Sequence, residues 1–290
     1  MFKGSIVAII TPFKDGKIDE EAYRELIDFQ IANGTSAIVP CGTTGESATL
    51  NVEEHCRVID IAVEAANKRV PVIAGTGGNC TNEAIELTEH AKKAGADATL
   101  QVTPYYNKPT QEGLYQHYKA IAQAVPFPQV LYNVPGRTSV NMLPETVARL
   151  AALPEIVAIK EASGNIGQMA EILKLVGDKI TLLSGDDNLT LPILAIGGKG
   201  VISVIANLVP RKTAEMVQAW EDGRLEKARE IFFDLMPLCQ AMFYETNPVP
   251  VKTAAGLMGK CTGEMRLPLV SMSPGNLDRL QKVLQDYDLI

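Results

Sequence analysis

Eight times along this chain a short apolar run is followed by an amphipathic stretch of helical length, and no other feature narrows the fold so far. The apolar runs are Ser5–Ile10, Ala37–Cys41, Pro71–Gly75, Ala98–Thr103, Gln129–Val134, Ile156–Glu161, Ile180–Ser184 and Val201–Ala206. They are apolar throughout rather than alternating, as strands are when both faces of a sheet are covered. The stretches that follow predict helices over 19–33, 51–67, 81–94, 111–124, 144–153, 165–176, 189–196 and 210–221. Asp19 suits an N-cap, and Gly34, Gly95 and Gly177 each close a helix. Regular strand–helix alternation implies parallel strands with crossover helices. Eight such units, without a glycine-rich dinucleotide fingerprint, favour a closed (β/α)8 barrel (a TIM barrel) over an open doubly wound sheet.

The pattern changes after the eighth unit. Segments 226–244, 251–256 and 276–286 predict further helices, interrupted or separated by Pro237, Pro248 and Pro250. The expected organisation is therefore a barrel over 1–223 and a C-terminal helical extension over 224–290.

Charge and cysteines set outer bounds. The formal net charge of −7 disfavours nucleic acid as a partner, and it means that an anionic substrate needs a local cation. No apolar run is long enough to span a membrane or to serve as a secretory leader. The five cysteines are odd in number and form no C-x-x-C pair, which suits reduced thiols and a cytoplasmic location.

In a (β/α)8 barrel the chemistry lies at the carboxyl ends of the strands, which sorts the candidates. The second strand ends in Gly42-Thr43-Thr44-Gly45-Glu46-Ser47, either a carboxylate grip of hydroxyls and bare N–H groups or an ordinary turn. The fourth strand leads to Tyr105 and Tyr106, and the fifth carries Tyr132 followed by Arg137. Arg137 suits a substrate carboxylate or a surface salt bridge. The sixth strand carries Lys160. Strand alternation puts Lys160 and Glu161 on opposite faces, so the two are not expected to pair. Burying a lysine favours its neutral amine, which attacks a ketone carbon and forms a Schiff base. The alternative is a lysine paired with a carboxylate elsewhere in the barrel.

Other motifs carry less. Gly75-Thr76-Gly77-Gly78 lacks the third glycine of a dinucleotide loop, and Gly197-Gly198-Lys199-Gly200 precedes a strand. His55, His90 and His117 fall on predicted helices, away from the strand ends. Asp186 and Asp187 end the seventh strand without a histidine, so the bland reading is a helix cap. Neither a metal nor another cofactor is expected.

Together these residues resemble the dihydrodipicolinate synthase family of Schiff-base-forming aldolases. The resemblance is carried in order by 42–47, Val102-Thr103-Pro104-Tyr105-Tyr106-Asn107, Tyr132-Asn133-Val134-Pro135 with Arg137-Thr138, and Ile159-Lys160-Glu161-Ala162. It continues through Leu183-Ser184-Gly185-Asp186-Asp187, Gly200-Val201-Ile202-Ser203-Val204, Pro248-Val249-Pro250-Val251-Lys252 and Arg266-Leu267-Pro268, and so covers essentially the whole chain. It implies condensation of pyruvate with aspartate semialdehyde towards diaminopimelate and lysine. By resemblance, Lys160 is the Schiff-base residue and Tyr132 the proton donor and acceptor, with Thr43 and Tyr106 completing a hydroxyl relay. Thr44 and the backbone near Ile202 hold the pyruvate carboxylate, and Arg137 receives that of the semialdehyde. The tyrosine matching Tyr106 serves a neighbouring subunit in this family, which implies a homotetramer of two tight dimers. N-acetylneuraminate lyases share the lysine and tyrosine, but usually have serine at the position of Thr43 and no counterpart of Arg137. An allosteric L-lysine site would fall on Ser47, Ala48, His55, Asn79, Glu83 and Tyr105. Val52 departs from those sensitive members that carry a histidine there.

Overall fold

The computed structural model describes residues 2–290. Its eight main strands are β1 (Gly4–Ala8), β2 (Ala37–Val39), β3 (Ile73–Gly75), β4 (Ala98–Val102), β5 (Gln129–Asn133), β6 (Ile156–Glu161), β7 (Thr181–Ser184) and β8 (Gly200–Ser203). The sheet order is β2-β1-β8-β7-β6-β5-β4-β3, with parallel pairing throughout. Its two ends meet where Ile38 bridges Val72. The Ile38 N–H donates to the Pro71 carbonyl at 3.0 Å and the Gly75 N–H to that of Pro40 at 2.9 Å. The eight strands thus curl into the expected barrel.

Side-chain alternation explains why the strands are apolar on both faces. Ile6, Ala8, Val39, Ile73, Leu100, Val130, Ala158, Leu183 and Ile202 pack together inside the barrel. The residues between them, such as Val7, Ile38, Leu131, Ile159 and Leu182, point outward into clusters shared with the helices. Both faces are therefore shielded from water, and the polar residues of the outer one, such as Gln101, Asn133 and Glu161, are themselves buried.

Local signals set the helix ends. Asp19 accepts the Ala22 N–H at 3.1 Å and caps the helix Glu20–Ala32. Asn51 and Glu54 form a reciprocal capping box on Val52–Ala66. The prolines of the tail behave differently from the expectation. Pro237 lies inside the continuous helix Leu225–Ala241 rather than interrupting it. Burial of Leu235, Leu238 and Cys239 around it outweighs the lost backbone hydrogen bond. Pro250 sits in the first turn of Val249–Leu257, where its missing N–H has no helical partner to lose. The chain also forms a hairpin that the sequence reading lacks, Phe13–Lys14 against Lys17–Ile18. Asp15 and Gly16 both have positive φ there, as a tight two-residue turn requires.

Candidate active site

Parallel register brings Lys160 on β6 directly beside Tyr132 on β5. The Lys160 Nζ lies 4.2 Å from the centre of the Tyr132 ring. The two residues are only 5% and 6% exposed. Glu161 points to the opposite face, where it binds Asn133, Ser163 and Gln168 and not the lysine. Gly185, just past β7, leaves the space that the lysine stem uses. A Cβ there would lie 2.6 Å from the Ala162 Cβ and 3.2 Å from the Lys160 Cε.

Asp186 and Asp187 follow. Burial pushes both carboxyls up, and the nearby charge of Lys160 opposes this. Asp187 accepts the N–H groups of Val204 at 2.9 Å and Ile205 at 3.1 Å. It therefore ties the end of β7 to the end of β8 rather than capping the helix that follows it. Ile202 is buried in the barrel interior, in the same cluster as Tyr132.

The loop after β2 carries Thr43 and Thr44. The Thr44 hydroxyl accepts a hydrogen bond from the Asn247 Nδ2 at 3.1 Å. The Asn247 carbonyl in turn accepts one from the Arg137 Nη2 at 3.0 Å. Arg137 forms no ion pair among the described residues, so its donors other than the one on the Asn247 carbonyl stay available to an anion. Pro135 at the first position of the short helix Pro135–Thr138 sets the turn that carries it. Beyond Thr44, Glu46 adopts a left-handed backbone. Its carboxylate meets the Lys252 ammonium at 2.5 Å, with both side chains fully buried. The Lys252 Nζ also sits 3.8 Å from the centre of the Phe13 ring, which the hairpin supplies.

A cavity of about 470 Å³ opens beside this loop. Thr43, Arg137 and Asn247 line it, and so do Ser47, Ala48, His55, Glu83 and Tyr105. Of the residues expected for catalysis only Thr43 lines it, beside Arg137 and most of those expected for regulation; Lys160, Tyr132 and Tyr106 do not. Asn79 does not line it, but its Nδ2 donates to the Tyr105 carbonyl at 3.3 Å. His55 corrects the sequence expectation. It lies on a helix, yet its Nε2 reaches the Gly75 carbonyl at the end of β3 at 2.6 Å. The carbonyl can only accept, so Nε2 carries the proton; burial holds the His55 pKa below the usual value. Tyr106 is not brought into the site of its own chain. It is 91% exposed and has positive φ.

Sequence reading missed Asn247 and the buried Glu46–Lys252 pair as parts of this assembly. The signal was a lysine in the largely apolar helix Val249–Leu257, a charge that a buried carboxylate would satisfy. Among the described residues no group of three or more His, Cys, Asp or Glu could hold a metal ion, and no helix is long and apolar enough to cross a membrane.

Comparison with known proteins agrees with this geometry. The sequence model of the Dihydrodipicolinate synthetase family matches residues 1–287. The 4-hydroxy-tetrahydrodipicolinate synthase of Geotalea daltonii is 63% identical over 290 residues, which is 100% of both chains. The structure also resembles the pyruvate complex of the chloride-inhibited dihydrodipicolinate synthase of Acinetobacter baumannii. That match has a TM-score of 0.98 at 46% identity and covers 100% of both chains. The lysine-bound enzyme of Cyanidioschyzon merolae matches with a TM-score of 0.97 at 42% identity, over 100% of this chain and 99% of that one.

Proposed function

This chain belongs to the dihydrodipicolinate synthetase family, and from that premise we propose that it condenses pyruvate with L-aspartate 4-semialdehyde to give 4-hydroxy-tetrahydrodipicolinate, with Lys160 as the covalent anchor. The observation that carries this reading is the buried amine of Lys160 held 4.2 Å from the Tyr132 ring centre at the mouth of the barrel.

The Lys160 amine attacks the ketone carbon of pyruvate, water leaves, and a protonated imine remains. The imine draws electrons from the neighbouring methyl group, which loses a proton and becomes an enamine carbon nucleophile. That carbon attacks the aldehyde. The amino group of the semialdehyde then displaces Lys160 from the imine carbon and closes the ring. Tyr132 donates and accepts the protons, with Thr43 and Tyr106 relaying them to solvent. Thr44 and the backbone near Ile202 hold the pyruvate carboxylate. Arg137 receives the carboxylate of the semialdehyde, a role supported by its place in the cavity lining, where the Asn247 carbonyl orients its guanidinium.

Offering pyruvate with aspartate semialdehyde, and then with other aldehydes, tests the substrate assignment. The semialdehyde should give the highest kcat/KM. In Arg137→Ala its KM should rise by about 10-fold or more, while that of pyruvate stays nearly unchanged. Equal kcat/KM for an uncharged aldehyde would defeat the assignment.

The barrel over 1–223 supplies the covalent chemistry, and the extension over 224–290 braces its loops through Asn247 and Lys252. The protein works as a homotetramer of tight dimers in the cytoplasm. An exposed Tyr106, at a strained backbone angle beyond its own site, supports service to a second subunit. Mixing inactive Tyr106→Phe and Lys160→Ala chains should then restore part of the activity in heterodimers. No recovery in mixtures shown to exchange subunits would count against sharing. L-Lysine is a candidate feedback inhibitor bound by Ser47, Ala48, His55, Asn79, Glu83 and Tyr105, with Glu83 facing its ammonium. The same kinetic assay, run with added L-lysine, measures this directly.

A further inference from the structure

Directly behind Tyr132 and Lys160 lies a second pair of side chains. The residues that follow them, Asn133 and Glu161, leave the strands on the opposite face and are register partners too. Both are fully buried. The Asn133 Nδ2 donates to the two Glu161 oxygens at 3.0 and 3.3 Å and to the Asn141 Oδ1 at 2.9 Å. Glu161 also accepts the Ser163 N–H at 2.7 Å and the Gln168 Nε2 at 3.4 Å. The Asn133 Oδ1 accepts the Met142 N–H at 2.9 Å.

The other end of the same strand pair is irregular. Gln129 faces Ile156, but Val130 faces Ala158, so Val157 is an extra residue on β6. Side-chain faces alternate with a period of two, and a slip of one residue would turn Lys160 out of the barrel. The apolar residues of the pair do not oppose such a slip, because both faces are dry. Gln129, at the irregular end, has neither of its side-chain polar atoms bonded. Asn133 and Glu161 are therefore the polar groups that join the two strands side chain to side chain. A buried carboxylate is costly where an apolar residue would pack at least as well. Its presence here calls for a positional role.

We propose that the Asn133–Glu161 pair is a register lock whose work is to hold Lys160 against Tyr132. Glu161 and Asn133 are positioning residues; they act through their strand neighbours and touch no substrate. The inference rests on Lys160 and Tyr132 being the reacting pair.

The test uses the full-length enzyme and reads kcat, the KM of pyruvate, and the rate at which borohydride traps the pyruvate adduct. Glu161→Gln keeps the shape but sets an amide against the Asn133 amide. Its kcat should fall by about 10²-fold and adduct formation should slow, with the KM of pyruvate changed by less than about threefold. Asn133→Asp/Glu161→Gln reverses donor and acceptor and should recover about tenfold or more of the lost kcat. A merely structural role would lower folded yield or thermal stability and leave the kcat of folded enzyme alone. Folded Glu161→Gln with kcat within about threefold of wild type overturns the lock, and so does a loss that the reversed pair leaves untouched. If Glu161→Gln does not fold, Asn133→Ser, which leaves the carboxylate its Ser163 and Gln168 donors, is judged on the same readouts. Absence of any adduct on Lys160 in the wild type would overturn the reacting pair itself, an outcome distinct from failure of the lock alone.

Discussion

Lys160→Ala should lower turnover by about 10⁴-fold or more while leaving the fold intact. The size follows from the chemistry. Without the amine there is no imine, and without the imine nothing takes up the electrons released when the methyl group of pyruvate loses its proton. Neighbouring groups cannot substitute. Tyr132 can move a proton but cannot form the imine, and Glu161 is turned away and bonded to Asn133. Lys160→Arg keeps the charge but loses a nucleophilic amine, so it should be nearly as inactive. Circular dichroism and the unfolding midpoint should stay close to wild type, because Lys160 makes no ion pair among the described residues. Near-normal turnover in either variant would refute covalent catalysis.

The largest effect on stability is expected away from the reacting atoms. Lys252→Met leaves Glu46 as an unpaired carboxylate with no access to water. Breaking a buried pair in this way costs about 3–5 kcal/mol. Burial pushes the Lys252 pKa down and the adjacent Glu46 charge pushes it back up, so each charge depends on the other. Glu46→Gln/Lys252→Met removes both charges together and should regain most of the loss. Urea unfolding of Lys252→Met, Glu46→Gln and the double variant measures this. A single variant as stable as wild type, or a double variant no better than the single ones, would show that the pair does not couple the tail to the barrel. Because Glu46 follows Thr43 and Thr44 on one loop, the single variants should also bind pyruvate more weakly.

The barrel was legible because its signal is periodic and repeated. Each strand–helix unit announces itself by a dry run and a helical stripe, and eight units leave little topological choice. Lys160 could be singled out as a candidate for a related reason, since such a run seldom holds a lysine. Arg137 and the Thr43-Thr44 loop stood out by position at strand ends. The features that were not legible join segments remote in sequence. Asn247 meets Thr44 across 203 positions and Lys252 meets Glu46 across 206, and no local pattern encodes either contact. His55 was placed away from the strand ends because it falls on a helix; its side chain nonetheless reaches the end of β3. Pro237 misled for the opposite reason. A local rule against proline in helices was outweighed by packing on either side of it.

The central claim is that pyruvate is held as an imine on Lys160. Borohydride reduction in the presence of pyruvate, followed by peptide mass analysis, tests it directly. The expected result is one reduced pyruvate adduct per chain, on the peptide containing Lys160, and none in Lys160→Ala. Unmodified Lys160 in an enzyme that is turning over, or an adduct on a different lysine, would contradict it.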